Sequence, residues 1–158
     1  MSEPVQVKNG VRRLVYARGA LWILASNPAW LVRLDPETGR RRRISLRSQF
    51  SGDLAYGGGS LWATLPQSAQ LARVNPKTGN VATIGVGRNP NGIAVTGHDV
   101  WVANRDDSSL TRVDARTGRV RGQPLQVPLN PYEIASSDAG LWVTSLAEGK
   151  LTRVSTPD

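Results

Sequence analysis

"SLWATL", residues 60–65, decides the fold, because the chain writes close variants of it three more times: "ALWILA" at 20–25, "DVWVAN" at 99–104 and "GLWVTS" at 140–145. The tryptophans at their centres, Trp22, Trp62, Trp101 and Trp142, stand 40, 39 and 41 residues apart. A fixed period of that length marks a repeat architecture. Eleven residues after each tryptophan comes an arginine, Arg33, Arg73, Arg112 and Arg153, in "LVRLD", "LARVN", "LTRVD" and "LTRVS". Three of these run into "DPETG", "NPKTG" and "DARTG", with Asp or Asn opening a turn and glycine closing it. Before each tryptophan stand a second turn cluster ("ARGA", "GGGS", "TGHD", "SDAG") and a short apolar strand ("LVY", "LAY", "IAV", "EIAS").

Each unit therefore reads as four short strands, a to d, with no helical period. Strand b is apolar on both faces: Leu61 and Ala63 point one way and Trp62 the other. A sheet with two apolar faces must lie between neighbouring sheets, and four-stranded units of about forty residues stacked around an axis make a β-propeller. The fold class is all-β, with four four-stranded blades at about 11–46, 51–86, 90–127 and 131–154 plus 4–9. The last blade is composite. "VQVKNGVRRLVYARGALWI" aligns without a gap on "IGVGRNPNGIAVTGHDVWV", so Val5–Asn9 falls in the register of strand d and completes the blade that "LTRVS" leaves with three strands. Two closures satisfy that register. The chain can close on itself as a four-bladed ring, or two chains can exchange the strand in an eight-bladed, two-fold homodimer. The second relieves the steep wedge of a four-blade ring and is preferred here.

"NPNGIAVTGHDVWVANRDDSSLTRVDARTGRV" resembles the repeats of YVTN-type and virginiamycin B lyase-like (streptogramin lyase-like) propellers. The shared features are the P-x-G-I-A turn, the G-x-x-[LV]-W-V strand, L-x-R-[VI]-D and D-P-x-T-G, and they recur along essentially the whole chain. The resemblance implies the propeller fold strongly and an activity weakly. It implies more blades per chain than four, so the chain reads as a half-propeller, natural or engineered. It also implies, for the lyases, histidines, acidic groups and a divalent cation acting on a cyclic peptide or related small molecule. This chain has one histidine, His98, in a turn slot that Gly19, Gly59 and Ala139 fill in the other units. A lone turn histidine without an orienting partner is not a catalytic constellation. No catalytic residue, metal ligand or cofactor is assigned. "RDDSS" at 105–109 reads as a solvated loop.

The reading is a non-catalytic, self-assembling scaffold or binding module. A lyase-like enzyme and a ligand-sensing domain of a larger protein are the alternatives. The d-to-a and b-to-c connections share one rim, where a small-molecule or protein ligand would meet Arg13, Asp53, Asn91, Tyr132 and Glu133, with Trp30 and Arg105 from the b-to-c loops. Trp30 lies outside the repeated slot, where Gln70, Ser109 and Lys150 stand elsewhere, so packing symmetry does not require it. Arg13 has Asp53 on one side and Glu133 on the other in ring order, which reads as an ion-pair ring or a polar ligand site. Arg33, Arg73, Arg112 and Arg153, like the four repeated tryptophans, read as structural.

Seventeen arginines and three lysines give a net charge of +8, and residues 1–50 hold ten of these cations against three acids. "GRRRRIS" at 39–45 puts Arg41–Arg43 on the outermost strand, where charge blocks edge-to-edge pairing. Without interleaved aromatics this stretch does not read as a nucleic-acid site. There is no cysteine, no export signal and no membrane-length apolar run, so the chain as given reads as soluble or cytoplasmic. The extracytoplasmic setting of related propellers leaves the location of any parent protein open.

Overall fold

The computed structural model describes residues 10–138 and 140–155. Its strands form four antiparallel sheets in chain order, the blades of a propeller. Blade 1 is β1 (Gly10–Ala17), β2 (Ala20–Ser26), β3 (Trp30–Leu34) and β4 (Arg41–Ser45); blade 2 is β5 (Leu54–Gly57), β6 (Ser60–Leu65), β7 (Gln70–Val74) and β8 (Val81–Gly85). Blade 3 is β9 (Pro90–Thr96), β10 (Asp99–Asn104), β11 (Ser109–Asp114) and a short β12 (Leu125–Gln126). Blade 4 shows β13 (Pro131–Ser137), β14 (Gly140–Ser145) and β15 (Lys150–Val154). The composite fourth strand expected at Val5–Asn9 lies outside the described residues. A single 3-10 turn, Pro66–Ser68, is the one helical element among the described residues.

The register repeats from blade to blade. Trp22 pairs with Arg33, Trp62 with Arg73, Trp101 with Arg112 and Trp142 with Arg153. The c-to-d turns carry out their sequence signal. Asp35, Asn75 and Asp114 each accept, through Oδ1, the amides two and three residues on, at 2.6–3.1 Å. Their carbonyls accept the amides of Gly39, Gly79 and Gly118, which sit at φ of +67°, +79° and +76°. A side chain there would strain the backbone, and this is why glycine closes all three turns.

The core lies between the blades. Trp22 packs into a cluster with Leu54, Leu61 and Val74 of blade 2, Trp62 with Ile93, Val100 and Val113 of blade 3, and Trp101 with Ile134, Leu141 and Val143 of blade 4. Each of these three rings is almost completely buried. Trp22 donates its indole N–H to the Ala17 carbonyl at 3.2 Å and Trp62 to that of Gly57 at 3.0 Å. Trp142 departs from the expected equivalence. It is only half-buried and bonds to Ser137 Oγ, because the described residues place no further blade beyond it.

The same asymmetry marks the opposite end of the arc. Leu14 of β1 holds the position of Leu54, Ile93 and Ile134, which are 6, 6 and 7% exposed, yet Leu14 is 60% exposed and Tyr16 beside it 66%. On blade 4, Leu151 is 63% exposed where Leu31, Leu71 and Leu110 are fully buried. Among the described residues, one repeat face at each end thus lacks the neighbouring blade that covers its counterparts.

Candidate functional site

The d-to-a and b-to-c connections do share one rim. Backbone bonds tie them: Asn27 N to Gln49 O, Ala29 N to Ser48 O, Arg105 N to Asn89 O and Leu146 N to Asn130 O. Just inside this rim the inner strands of the blades begin, and three of the four residues in that slot converge. Arg13 donates from Nε to Asp53 Oδ1 at 2.9 Å and from Nη2 to Glu133 Oε1 at 2.6 Å, so one guanidinium bridges blades 2 and 4. Gly92 fills the slot in blade 3. A Cβ there would lie 2.4 Å from the Tyr132 carbonyl and 2.8 Å from Glu133 Cα, so only glycine admits the neighbouring inner strand this closely.

Asp53 is buried and accepts three hydrogen bonds. Besides Arg13 it accepts the Leu54 amide at 2.8 Å and, through Oδ2, the Ile93 amide at 2.9 Å. Its own amide donates to Thr64 Oγ1, which donates in turn to the Asn91 carbonyl, both at 2.8 Å. Thr144 plays part of the same role in blade 4 by accepting the Glu133 amide at 3.0 Å. These two threonines, which sequence reasoning missed, stand two residues after Trp62 and Trp142, where blades 1 and 3 have Leu24 and Ala103. That departure from the repeat was the available signal.

The electrostatics follow from the count of charges. Burial pushes the Glu133 carboxyl up and the Asp53 charge adds to it, together outweighing the attraction of Arg13. The Asp53 hydrogen bond, against some desolvation, holds the Arg13 guanidinium more firmly protonated than an isolated one. Two carboxylates on one arginine leave a single net negative charge. Such a cluster can receive a cationic or hydrogen-bond-donating group through the half-exposed Glu133, while Asp53 is buried and already accepts three hydrogen bonds.

The other expected site residues form separate groups. Arg105 donates to Asn130 Oδ1 at 2.9 Å and lies 5.2 Å over the ring of Tyr132, next to Glu133. Asn91 is buried and contributes its carbonyl to the Thr64 bond. Trp30, half-buried at the start of β3, pairs with Ala25 and Ser45 and makes no hydrogen bond to either group among the described residues. His98 is exposed on the turn between β9 and β10, at the far end of the strands from Arg13. The acids of "RDDSS" are taken: Asp107 pairs with Arg88 at 2.6 Å and Asp106 accepts from Asn89 at 3.0 Å. No helix of the described residues is long and apolar enough to cross a membrane.

The fold has solved counterparts. Virginiamycin B lyase from Staphylococcus aureus superposes with a TM-score of 0.81 at 18% identity, over 92% of this chain and 52% of that one. The chain has a virginiamycin B lyase-like β-propeller fold. It spans about half the length of that lyase, which is also known as a catalytically inactive histidine-to-alanine variant with quinupristin. The computationally designed Ika4 protein matches with a TM-score of 0.81 at 12% identity, over 96% of this chain and 97% of its own. The longer designed protein Ika8 matches at 0.76 and 12% identity, over 89% of this chain and 44% of its own. No protein-family model and no curated protein sequence matches the chain.

Proposed function

We propose that the chain is a non-catalytic propeller scaffold that completes its ring by pairing with a second copy and binds a polar ligand at the rim around Arg13, Asp53 and Glu133. The observation that carries this reading is the exposure of Leu14 and Leu151, at positions buried everywhere else in the repeat. The surface that seats Trp22 on blade 2 recurs on blade 1 as Leu14, Ile23, Val32 and Leu34. The surface that presents Trp22 recurs on blade 4 as Trp142. Blade 4 of one chain therefore fits blade 1 of another with the chemistry that already joins blades 1 to 4. Two such contacts close a two-fold ring.

The matches to the designed proteins support this: one four-blade arc superposes on a whole chain in one case and on less than half of a chain in the other. Exchange of the first strand onto β15 is the form of closure that the sequence register favours. A binding role fits the site better than catalysis. The lyase that shares the fold is inactive as a histidine-to-alanine variant, whereas the one histidine here is exposed on a turn at the other end of the strands.

Complementation tests it. Leu14→Asp blocks the blade 1 face and Leu151→Asp the blade 4 face, so each variant alone should run as a single chain. Mixed, they should recover a two-chain species, because one of the two interfaces then joins unmodified faces. Variants that keep the parent mass, or a mixture that stays monomeric, would refute the pairing.

A further inference from the structure

Opposite the loop rim, in the wedge between blades 1 and 2, a cavity of about 340 Å³ is lined by Arg18, Trp22, Arg33, Arg42, Pro76 and Lys77. Four of the six are cations. Among the described residues, no carboxylate lies within ion-pair distance of any of them.

The repeat supplies its own control. Arg33 and Arg42 are cross-strand partners, as Arg73 and Ala82 are in blade 2, and Arg112 bonds Arg121 in the same relation in blade 3. In blade 3 the arginine pair is neutralised from within. Arg112 lies 2.7 Å from Asp99 Oδ2; Arg121 is 3.4 Å from the other oxygen, at ion-pair distance without hydrogen-bond alignment, and pairs with Asp114. In blade 2 the single arginine, Arg73, is held by Ser60 Oγ at 3.0 Å and the Arg116 carbonyl at 2.9 Å. The slot of Asp99 and Ser60 is Ala20 in blade 1, which offers no acceptor. The Asp114 slot is Asp35, whose Oδ1 is bonded to the turn amides of Glu37 and Thr38; its carboxyl lies below the ordinary range through those bonds, with a smaller contribution from Arg33. Among the described residues, the Arg42 guanidinium donates to the Thr78 carbonyl at 2.7 Å and to no carboxylate.

A second departure points into the same wedge. The turn slot held by Gly58 (φ +55°) and Gly97 (φ +52°) is Arg18 in blade 1, at φ +52°. A non-glycine residue costs energy in that left-handed conformation, so blade 1 carries strain where it adds a cation.

We infer that the blade 1–blade 2 wedge is an oxyanion site, in which a phosphate or sulfate group takes the place that the Asp99 carboxylate holds in blade 3. Arg33 and Arg42 stand side by side as planar donors suited to two oxygens of a tetrahedral anion. Arg18 and Lys77 close over it from the two turns, and the buried Trp22 ring forms the floor. The group can belong to a small phosphate ester or to a sulfated or phosphorylated polymer. The wedge lies within one chain, so this inference stands apart from the pairing of two copies.

Calorimetric titration with inorganic phosphate, at ionic strength matched with chloride, tests it. The parent should bind one phosphate per chain. Arg33→Gln/Arg42→Gln, which also removes the Arg42–Thr78 hydrogen bond and is compared with the parent at equal folded content by circular dichroism, should weaken binding about tenfold or more. Ala20→Asp supplies the missing carboxylate and should abolish binding; because Ala20 is fully buried, the glutamine variant carries the test if this one does not fold. A parallel titration with a sulfated polysaccharide separates the sources. Affinity per anionic group far above that of free phosphate assigns a polymer, and equal affinity a small ester. Absence of phosphate binding by the parent, or equal binding by parent and glutamine variant, would overturn the site.

Discussion

Trp62→Ala probes the packing between blades most directly. The ring lies fully buried among Ile93, Val100, Val102 and Val113, its indole N–H is bonded to Gly57, and Arg73 stands 5.4 Å over its face. A buried aromatic removes about 150–250 Å² from water, worth about 4–6 kcal/mol at 25 cal/mol per Å². Truncation experiments on buried aromatics return about 3–5 kcal/mol, since the cavity partly relaxes. The Arg73 contact adds about 0.5–1 kcal/mol. The expected loss is therefore about 4 kcal/mol, a large part of a typical domain's 5–15 kcal/mol. Urea unfolding followed by far-UV circular dichroism reads it as a lower midpoint at constant slope. A loss below about 1 kcal/mol with an unchanged slope would mean that the repeated tryptophan does not hold the blades together, and the interpretation of the period would fail.

Three further outcomes follow from the site and the turns. Gly92→Ala should destabilise by about 1–3 kcal/mol, because its Cβ meets backbone that cannot rotate away; Gly85→Ala, with nothing within 4 Å, is the neutral control in the same thermal melt. Glu133 has a raised folded pKa, so its protonated form is favoured by folding, and that stability is present at acid pH and lost as pH rises through the folded value. Glu133→Gln should thus be neutral or stabilising at pH 7, by no more than about 1 kcal/mol after solvent screening, and a loss above 2 kcal/mol in chemical unfolding would show that the ion pair dominates instead. Asp114 is held far below the ordinary carboxylate range by the Thr117 amide and hydroxyl and then by Arg121, so its stabilisation is present above about pH 4 and is lost as pH falls further; Asp114→Asn, which keeps the turn as Asn75 does, should flatten the acid limb of a melting-temperature profile, and an unchanged limb would contradict the assignment.

The fold was legible because a propeller repeats its reasons. Trp22, Trp62 and Trp101 each need a neighbour's apolar face, and the D-P-x-T-G turns need an acceptor at one end and glycine at the other. Both demands are local and periodic. The site was legible only as positions: Arg13, Asp53 and Glu133 were placed together by blade register, but the convergence of both carboxylates on one guanidinium depends on inner-strand spacing that no single repeat encodes. Thr64 and Thr144 escaped notice because a threonine on a strand is ordinary; its role appears only when its hydroxyl is seen between Asp53 and Asn91. Trp142 looked like its counterparts because a period describes neighbours, and the end of an arc has one neighbour fewer. The oxyanion wedge was half visible: the arginine run was clear, but reading it as edge protection overlooked that Ala20 stands where Asp99 neutralises the same pair two blades on.

The mass of the assembled particle tests the central claim most directly. Sedimentation equilibrium over a range of micromolar concentrations should give twice the 17.1 kDa of one chain. Truncating Trp142 to alanine should shift the distribution toward the single chain as the sample is diluted. A mass of one chain throughout that range would mean that the uncovered faces of blades 1 and 4 do not meet in a second copy, and the two-chain ring would be wrong.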